Sequence, residues 1–202
     1  MKTVVGLFEN YRDADRAVQE LNARGFTREE ISVAARQNVL REREVARDAR
    51  EEVVAESAGA GAVGGAAVGG IAGLLVGLGA LTIPGIGPVL AAGTLATTLG
   101  STAAGAGIGA AAGGLIGALV GLGIPEEDAQ FYAEGVKRGG VLVTVQTSDD
   151  RAMEALNVMR QANAVDVDTQ RRAWMESGWS RFDETSYPDE SYPRFSTRPR
   201  TY

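Results

Sequence analysis

Between Glu56 and Glu126 the chain runs for 69 residues, 57–125, without a charged side chain, and this block holds 21 of the 27 glycines. The glycines are in register. Gly61, Gly65, Gly69, Gly73 and Gly77 recur every fourth residue, as do Gly105, Gly109, Gly113, Gly117 and Gly121, and Gly93, Thr97 and Ser101 extend the second row backwards with small residues. Positions four apart share one face of an α-helix. Each row therefore predicts a groove free of side chains where another helix approaches closely, the small-xxx-small arrangement of helices packed in apolar surroundings. Pro84, Gly85, Gly87 and Pro88 cannot continue a helix comfortably and mark a hairpin bend. The predicted arms, 57–81 and 89–122, would be roughly 37 and 50 Å long, enough to cross a ~30 Å hydrocarbon layer.

Length alone does not force insertion. The first arm has eight strongly apolar residues (Val63, Val68, Ile71, Leu74, Leu75, Val76, Leu78 and Leu81). At about −0.3 to −0.6 kcal/mol each they supply roughly −2 to −5 kcal/mol, far less than a leucine-rich span. Glycine costs about 1 kcal/mol relative to alanine in a water-exposed helix, so an isolated hairpin in water would be poor. Lipid, copies of the same hairpin, or the rest of the chain must pack against it.

The flanks carry all the charge, 20 basic and 26 acidic residues for a net of −6, with no long basic run. The phosphate-neutralising term of nucleic-acid binding is therefore missing. Without cysteine or histidine, disulfides, thiolate chemistry, Cys/His zinc sites and imidazole general bases are excluded. The first residues lack a long apolar core and a cleavage site, which reads as a cytoplasmic chain without a secretory signal.

Residues 3–8 are rich in β-formers. Asn10 is a helix cap with Asp13 and Asp15 behind it, Ala14, Ala17, Val18 and Leu21 on the buried face, and Gly25 just past the end. Thr27 to Glu30 has capping-box spacing but leads into a second strand at 31–35, which completes a βαβ unit in residues 1–35. Residues 36–56 mix five arginines with six acids and read as a solvated helix or linker. After the block, Pro125 and three acids start a helix stopped by Gly139 and Gly140, a strand follows at 141–146, Ser148 caps a helix to about 161, and 165–168 reads as a last short strand. Residues 125–169 thus form a second half. The fold class expected is α+β: a ferredoxin-like split βαβ–βαβ antiparallel sheet with helices on one face, a glycine-zipper hairpin inserted at 57–124, and a disordered aromatic and proline-rich tail at 170–202.

Two features mimic chemistry. Gly59-Ala-Gly-Ala-Val-Gly64 matches the dinucleotide-binding fingerprint by letter but follows an acidic helical stretch, with no acid about 20 residues on. The pairs Glu126/Glu127 and Asp149/Asp150 sit at helix starts, where capping explains them. No catalytic, cofactor-binding or metal-binding residue is assigned, and no cofactor or small-molecule substrate is expected.

The order of motifs resembles the bacterial general stress proteins (the 17M-like, low-temperature-induced or heat-induced family). The motifs are Val4-Val-Gly-Leu-Phe-Glu-Asn10, Gly25-Phe with Ile31-Ser-Val, Ile83-Pro-Gly-Ile-Gly-Pro88, and Gly123-Ile-Pro-Glu-Glu followed by Gly139-Gly-Val-Leu-Val-Thr-Val145. The resemblance implies a ferredoxin-like domain with a glycine-zipper insertion, a stress-response role and no catalytic residues. The function expected is a non-enzymatic stress protein whose hairpin inserts in or lies on the inner face of the cell membrane. Lipid and further copies of the chain are its partners. The alternative is a soluble assembly zipped through the hairpins into rings, filaments or shells, and a ligand-sensing regulatory domain is third.

Overall fold

The computed structural model describes residues 1–39, 71, 79–83, 86–96, 114–183, 185 and 195. Strand β1 (Lys2–Phe8) leads into α1 (Tyr11–Ala23) and β2 (Ile31–Arg36). Asn10 caps α1 by accepting from the Asp13 amide at 3.0 Å. The Thr27 turn closes as its spacing predicts, with the Thr27 amide donating to Glu30 Oε2 at 2.8 Å. Within the uncharged block come β3 (Gly79–Ile83), β4 (Gly87–Ala92) and α2 (Gly114–Gly121). Then follow α3 (Glu126–Lys137), β5 (Val141–Thr147), α4 (Ala152–Gln161) and α5 (Val167–Glu176). All five helices end alike: the chain turns left-handed at Gly25, Gly123, Gly139, Asn163 or Gly178. The next amide then reaches back to the carbonyl five residues earlier, as Phe26 does to Leu21 and Gly140 to Gly135.

The sheet is five-stranded in the order β1-β5-β2-β4-β3, with every neighbouring pair antiparallel. β5 lies between β1 and β2, which α1 connects, so the centre is a split βαβ unit. Val4 faces Val145 across the β1–β5 ladder and Val33 faces Val143 across β2–β5. Val141 to Val145 are all buried, because alternate residues serve two cores. Val141, Val143 and Val145 join α1 and α4 on one face. Leu142, with Leu7 and Ala34, joins α2, α3 and Trp174 of α5 on the other.

Helices therefore cover both faces, where the ferredoxin-like reading places them on one. The reason lies in α3, where residues 131 to 137 are buried without a gap. A helix buried most of the way round needs more than one covered side, and it obtains the sheet beneath it with α2 and α5 beside it.

Two further expectations are corrected. Residues 165–168 do not form a strand. Val165 donates one backbone hydrogen bond to the Leu7 carbonyl of β1 at 2.7 Å, and the chain then enters α5 behind Asp166, whose side chain accepts from the Thr169 amide at 2.9 Å. Residues 170–176, assigned by composition to a disordered tail, are most of that helix. The second correction concerns the block. The chain reverses between Ile83 and Gly87, but the segments joined there are strands, not helical arms. Leu81-Thr82-Ile83 and Val89-Leu90 are β-formers; β4 takes its backbone bonds from Val33 to Arg36 of β2 on one side, and β3 pairs with β4 on the other. Pro88 precedes the first of these pairs, Arg36 with Val89, where its missing N–H costs the β2–β4 ladder nothing.

The block is anchored at one more point. Ile71 is wholly buried in the core between α1 and α4, and its amide donates to Asp15 Oδ1 of α1 at 2.9 Å. Among the described residues no helix is long and apolar enough to cross a membrane.

Candidate functional site: an open glycine face and a buried charge cluster

Helix α2 is short, charge-free and two-sided. Leu115, Ala118 and Leu119 face the core beside α3, and Leu122, just past its end, accepts from the Thr3 hydroxyl of β1 at 2.8 Å. The opposite side carries Gly117, Val120 and Gly121. Val120 is 44 % exposed, and nothing lies within 4 Å of the place a Cβ would take at either glycine. These are the last two members of the second glycine row. They form an uncharged, shallow, solvent-facing strip on a helix fixed by its other side. Of the remaining residues predicted for helix packing, Gly61, Gly65, Gly69, Gly73, Gly77, Gly105, Gly109 and Gly113 lie outside the described residues. At the bend, Pro84 and Gly85 also lie outside them, while Gly87 and Pro88 open β4 opposite Ile83 and Thr82. The fingerprint glycines of 59–64 are outside as well.

The second feature is one that periodicity did not indicate. At the end of α3, Glu134, Lys137 and Arg138 are buried together. Glu134 Oε1 accepts from Arg138 Nε at 2.7 Å, and its other oxygen lies 4.0 Å from Lys137 Nζ. Lys137 also donates to the Asp183 carbonyl at 2.7 Å, and the Arg36 guanidinium donates to the Lys137 carbonyl at 3.2 Å. Burial holds the Lys137 ammonium below the usual lysine range, partly offset by the charges of Glu134 and Asp183.

Aromatic rings wall this cluster. Arg138 lies over the Trp174 ring at 4.4 Å and Lys137 over Phe182 at 5.2 Å. Trp174 itself, 2 % exposed, packs on Phe131 at 4.8 Å and on Trp179 and Phe195 at 5.8 Å. Arg171 bridges to Asp128 and lies over Phe131. Beside them the Tyr132 hydroxyl is pushed up to about 12, by burial first and the Asp128 charge second. Trp174, Trp179 and Phe182 belong to the segment predicted as a tail, and they dock on their own chain. Glu134, Lys137 and Arg138 escaped notice because i,i+3 and i,i+4 charge pairs on a helix ordinarily mark a solvated face.

The acid pairs carry no site geometry. Glu126 and Glu127 are exposed in the first turn of α3, and Asp149 lies near the chain's amino terminus and Lys2. Among the described residues no group of three or more Asp or Glu side chains could hold a metal ion.

Residues 3–81 match the family model of the heat induced stress protein YflT domain. This is the stress-protein family that the motif order resembles. The match runs from β1 through β2 and ends inside β3. Neither the curated proteins nor the solved structures contain a match to the chain.

Proposed function

We propose that this is a non-enzymatic, cytoplasmic stress-response protein that works by association, its uncharged block offering the outer face of α2 to further copies of the chain. The observation that carries this reading is the strip of Gly117, Val120 and Gly121, charge-free and without a Cβ neighbour on a helix whose other face is packed. Two such strips in contact let helix backbones approach closely, which is what small-xxx-small rows favour.

A hairpin that crosses the membrane is less well supported. The anchors at Ile71, β3, β4 and α2 leave three stretches of the uncharged block, 57–70, 72–78 and 97–113. Even as helices these would reach roughly 21, 10 and 25 Å, each short of a ~30 Å layer.

Sedimentation of the full chain without detergent tests the reading. The parent should sediment as an oligomer, and Gly117→Leu or Gly121→Leu, which fill the strip, should dissociate it with little change in thermal stability. A parent that is monomeric at all concentrations refutes self-association. If the monomer floats with anionic vesicles, and does so less after the leucine substitutions, the same strip binds lipid instead.

A further inference from the structure

The two edges of the sheet are built differently. Its end strands are β1 and β3. In a strand the N–H and C=O of one residue point to the same neighbour, and those of the next residue point to the other. One hydrogen bond therefore fixes the phase of the ladders. The Gln146 amide donates to the Glu30 carbonyl, one step beyond the Ile31–Val145 pair of the β2–β5 ladder. Even-numbered residues of β2 thus face β5, and Val33 and Ala35 face β4, where they meet Ala92 and Leu90. That turns Val89 and Ala91 toward β3, as partners of Leu81 and Gly79. The backbone groups of Ala80 and Thr82 are left pointing away from the sheet.

At the opposite edge the chain protects itself. Leu7 points outward there and its carbonyl takes the Val165 amide, while the exposed, charged Lys2 stands at the start of the strand. Charges, prolines, bulges and covering segments keep edge strands from pairing with other chains. β3, Gly-Ala-Leu-Thr-Ile, has no charge and no proline, and it pairs with β4 without a bulge. The nearest charged residues in sequence are Glu56 and Glu126. Among the described residues no strand lies beyond it.

We propose that β3 pairs with β3 of a second copy, antiparallel about a twofold axis at Leu81, so that two sheets continue into one. In this register Ala80 of each copy lies opposite Thr82 of the other, and each of the two residues both donates and accepts. A shift of two residues either way would leave Ala80 or Thr82 without a counterpart in the strand. The contact is self-complementary, as a twofold contact must be. Charge favours the same occupant. The net charge of −6 arises wholly outside residues 57–125, so copies repel over their charged surfaces and meet at least cost along an uncharged strand. This contact goes beyond the α2 strip and does not depend on it.

The test uses the full chain, which has no cysteine of its own, with Gly117→Leu in every variant so that the α2 contact is read separately. The axis sets Leu81 of the two copies directly opposite in a non-hydrogen-bonded pair. Their Cα atoms would be about 4.5 Å apart, within reach of a disulfide. Under oxidised glutathione without detergent, Leu81→Cys should give a disulfide-linked dimer at least tenfold faster than Met153→Cys, at an exposed helix position. Thr82→Pro removes an outward N–H that β4 does not use. It should abolish that gain with the far-UV circular dichroism unchanged. The axis also sets Gly79 opposite Ile83, so a mixture of Gly79→Cys and Ile83→Cys chains should yield the mixed dimer almost alone, which covers a folding failure of the Leu81 variant. The proposal is overturned if neither cysteine set links faster than the Met153 control. It is equally overturned if Thr82→Pro leaves linking undiminished in a folded chain.

Discussion

Truncating Ile71 to alanine measures whether the glycine-rich block is part of the domain or merely tethered to it. Ile71 is 0 % exposed, in the core that α1 and α4 make against the sheet, and its amide is held by Asp15. The change removes three carbons from a filled site. At about 0.8 kcal/mol per methylene the transfer loss is roughly 2.4 kcal/mol, and a cavity that closes only in part raises it, so we expect about 3 kcal/mol within the 2–5 kcal/mol range of such truncations. Against a typical domain stability of about 5–15 kcal/mol this is a large loss. Urea unfolding in detergent-free buffer, followed by tryptophan fluorescence, should show a lower midpoint with unchanged slope. Asp15→Ala should be costly too. The two losses should not add, because both act on one contact. Val120→Ala, on the exposed strip, is the control and should stay within about 0.5 kcal/mol. If Ile71→Ala costs no more than this control, the block is not anchored in the core, and the argument against a spanning hairpin loses its main support.

Two further outcomes follow from single positions. Tyr132 should give stability an alkaline limb. Its folded value of about 12 against an unfolded 10.0 means that the stabilisation is complete below pH 10 and is lost between pH 10 and 12. This amounts to about 3 kcal/mol, so the unfolding free energy of the parent should fall by that much relative to Tyr132→Phe across this window, and a flat difference refutes the burial argument. Gly93→Ala and Gly117→Ala should have opposite signs in thermal unfolding. At Gly93 (φ +78) a Cβ would meet the Ile31 carbonyl oxygen at 2.4 Å and the Ser32 Cα at 2.9 Å, so strand backbone must move and a loss above about 3 kcal/mol is expected. At Gly117 the space is open, and alanine should stabilise the helix by up to about 1 kcal/mol.

Much of the charged half of the fold is legible in the residues. Asn10 and Gly25 bracket α1, and its buried face is the predicted Ala14, Ala17, Val18 and Leu21. Gly139 and Gly140 end α3, and β5 starts where β-formers resume. The failures have identifiable physical causes. Val165 and Val167 alternate like a strand, yet Asp166 between them is a helix cap, and the cap prevailed. In the block, glycine periodicity hid the short run of β-formers at 81–83 and 89–90. Propensity there is weak, and the choice between helix and strand was settled by pairing: β4 with β2, a partner distant in sequence, and β3 with β4. The charge cluster was illegible for the converse reason. Glu134, Lys137 and Arg138 obey the surface rule for helix ion pairs, and only the packing of α5 and the segment after it puts them in the interior.

These failures share a consequence for what the block does. A hairpin built wholly for a membrane would leave the sheet complete without it, yet β3 and β4 are two of the five strands, and Leu115, Ala118 and Leu119 of α2 fill the core beside α3. Parts of the block thus supply domain structure. In α2 the division falls between two faces of one helix: Leu115, Ala118 and Leu119 are inward, and Gly117, Val120 and Gly121 are outward. Glycine on a solvent-facing helix side lowers helix stability by about 1 kcal/mol per position relative to alanine. In the proposed assembly that cost would be offset where a second helix backbone comes close enough to need the missing side chains. The outward glycines are therefore what the proposed contact between copies of the chain would use.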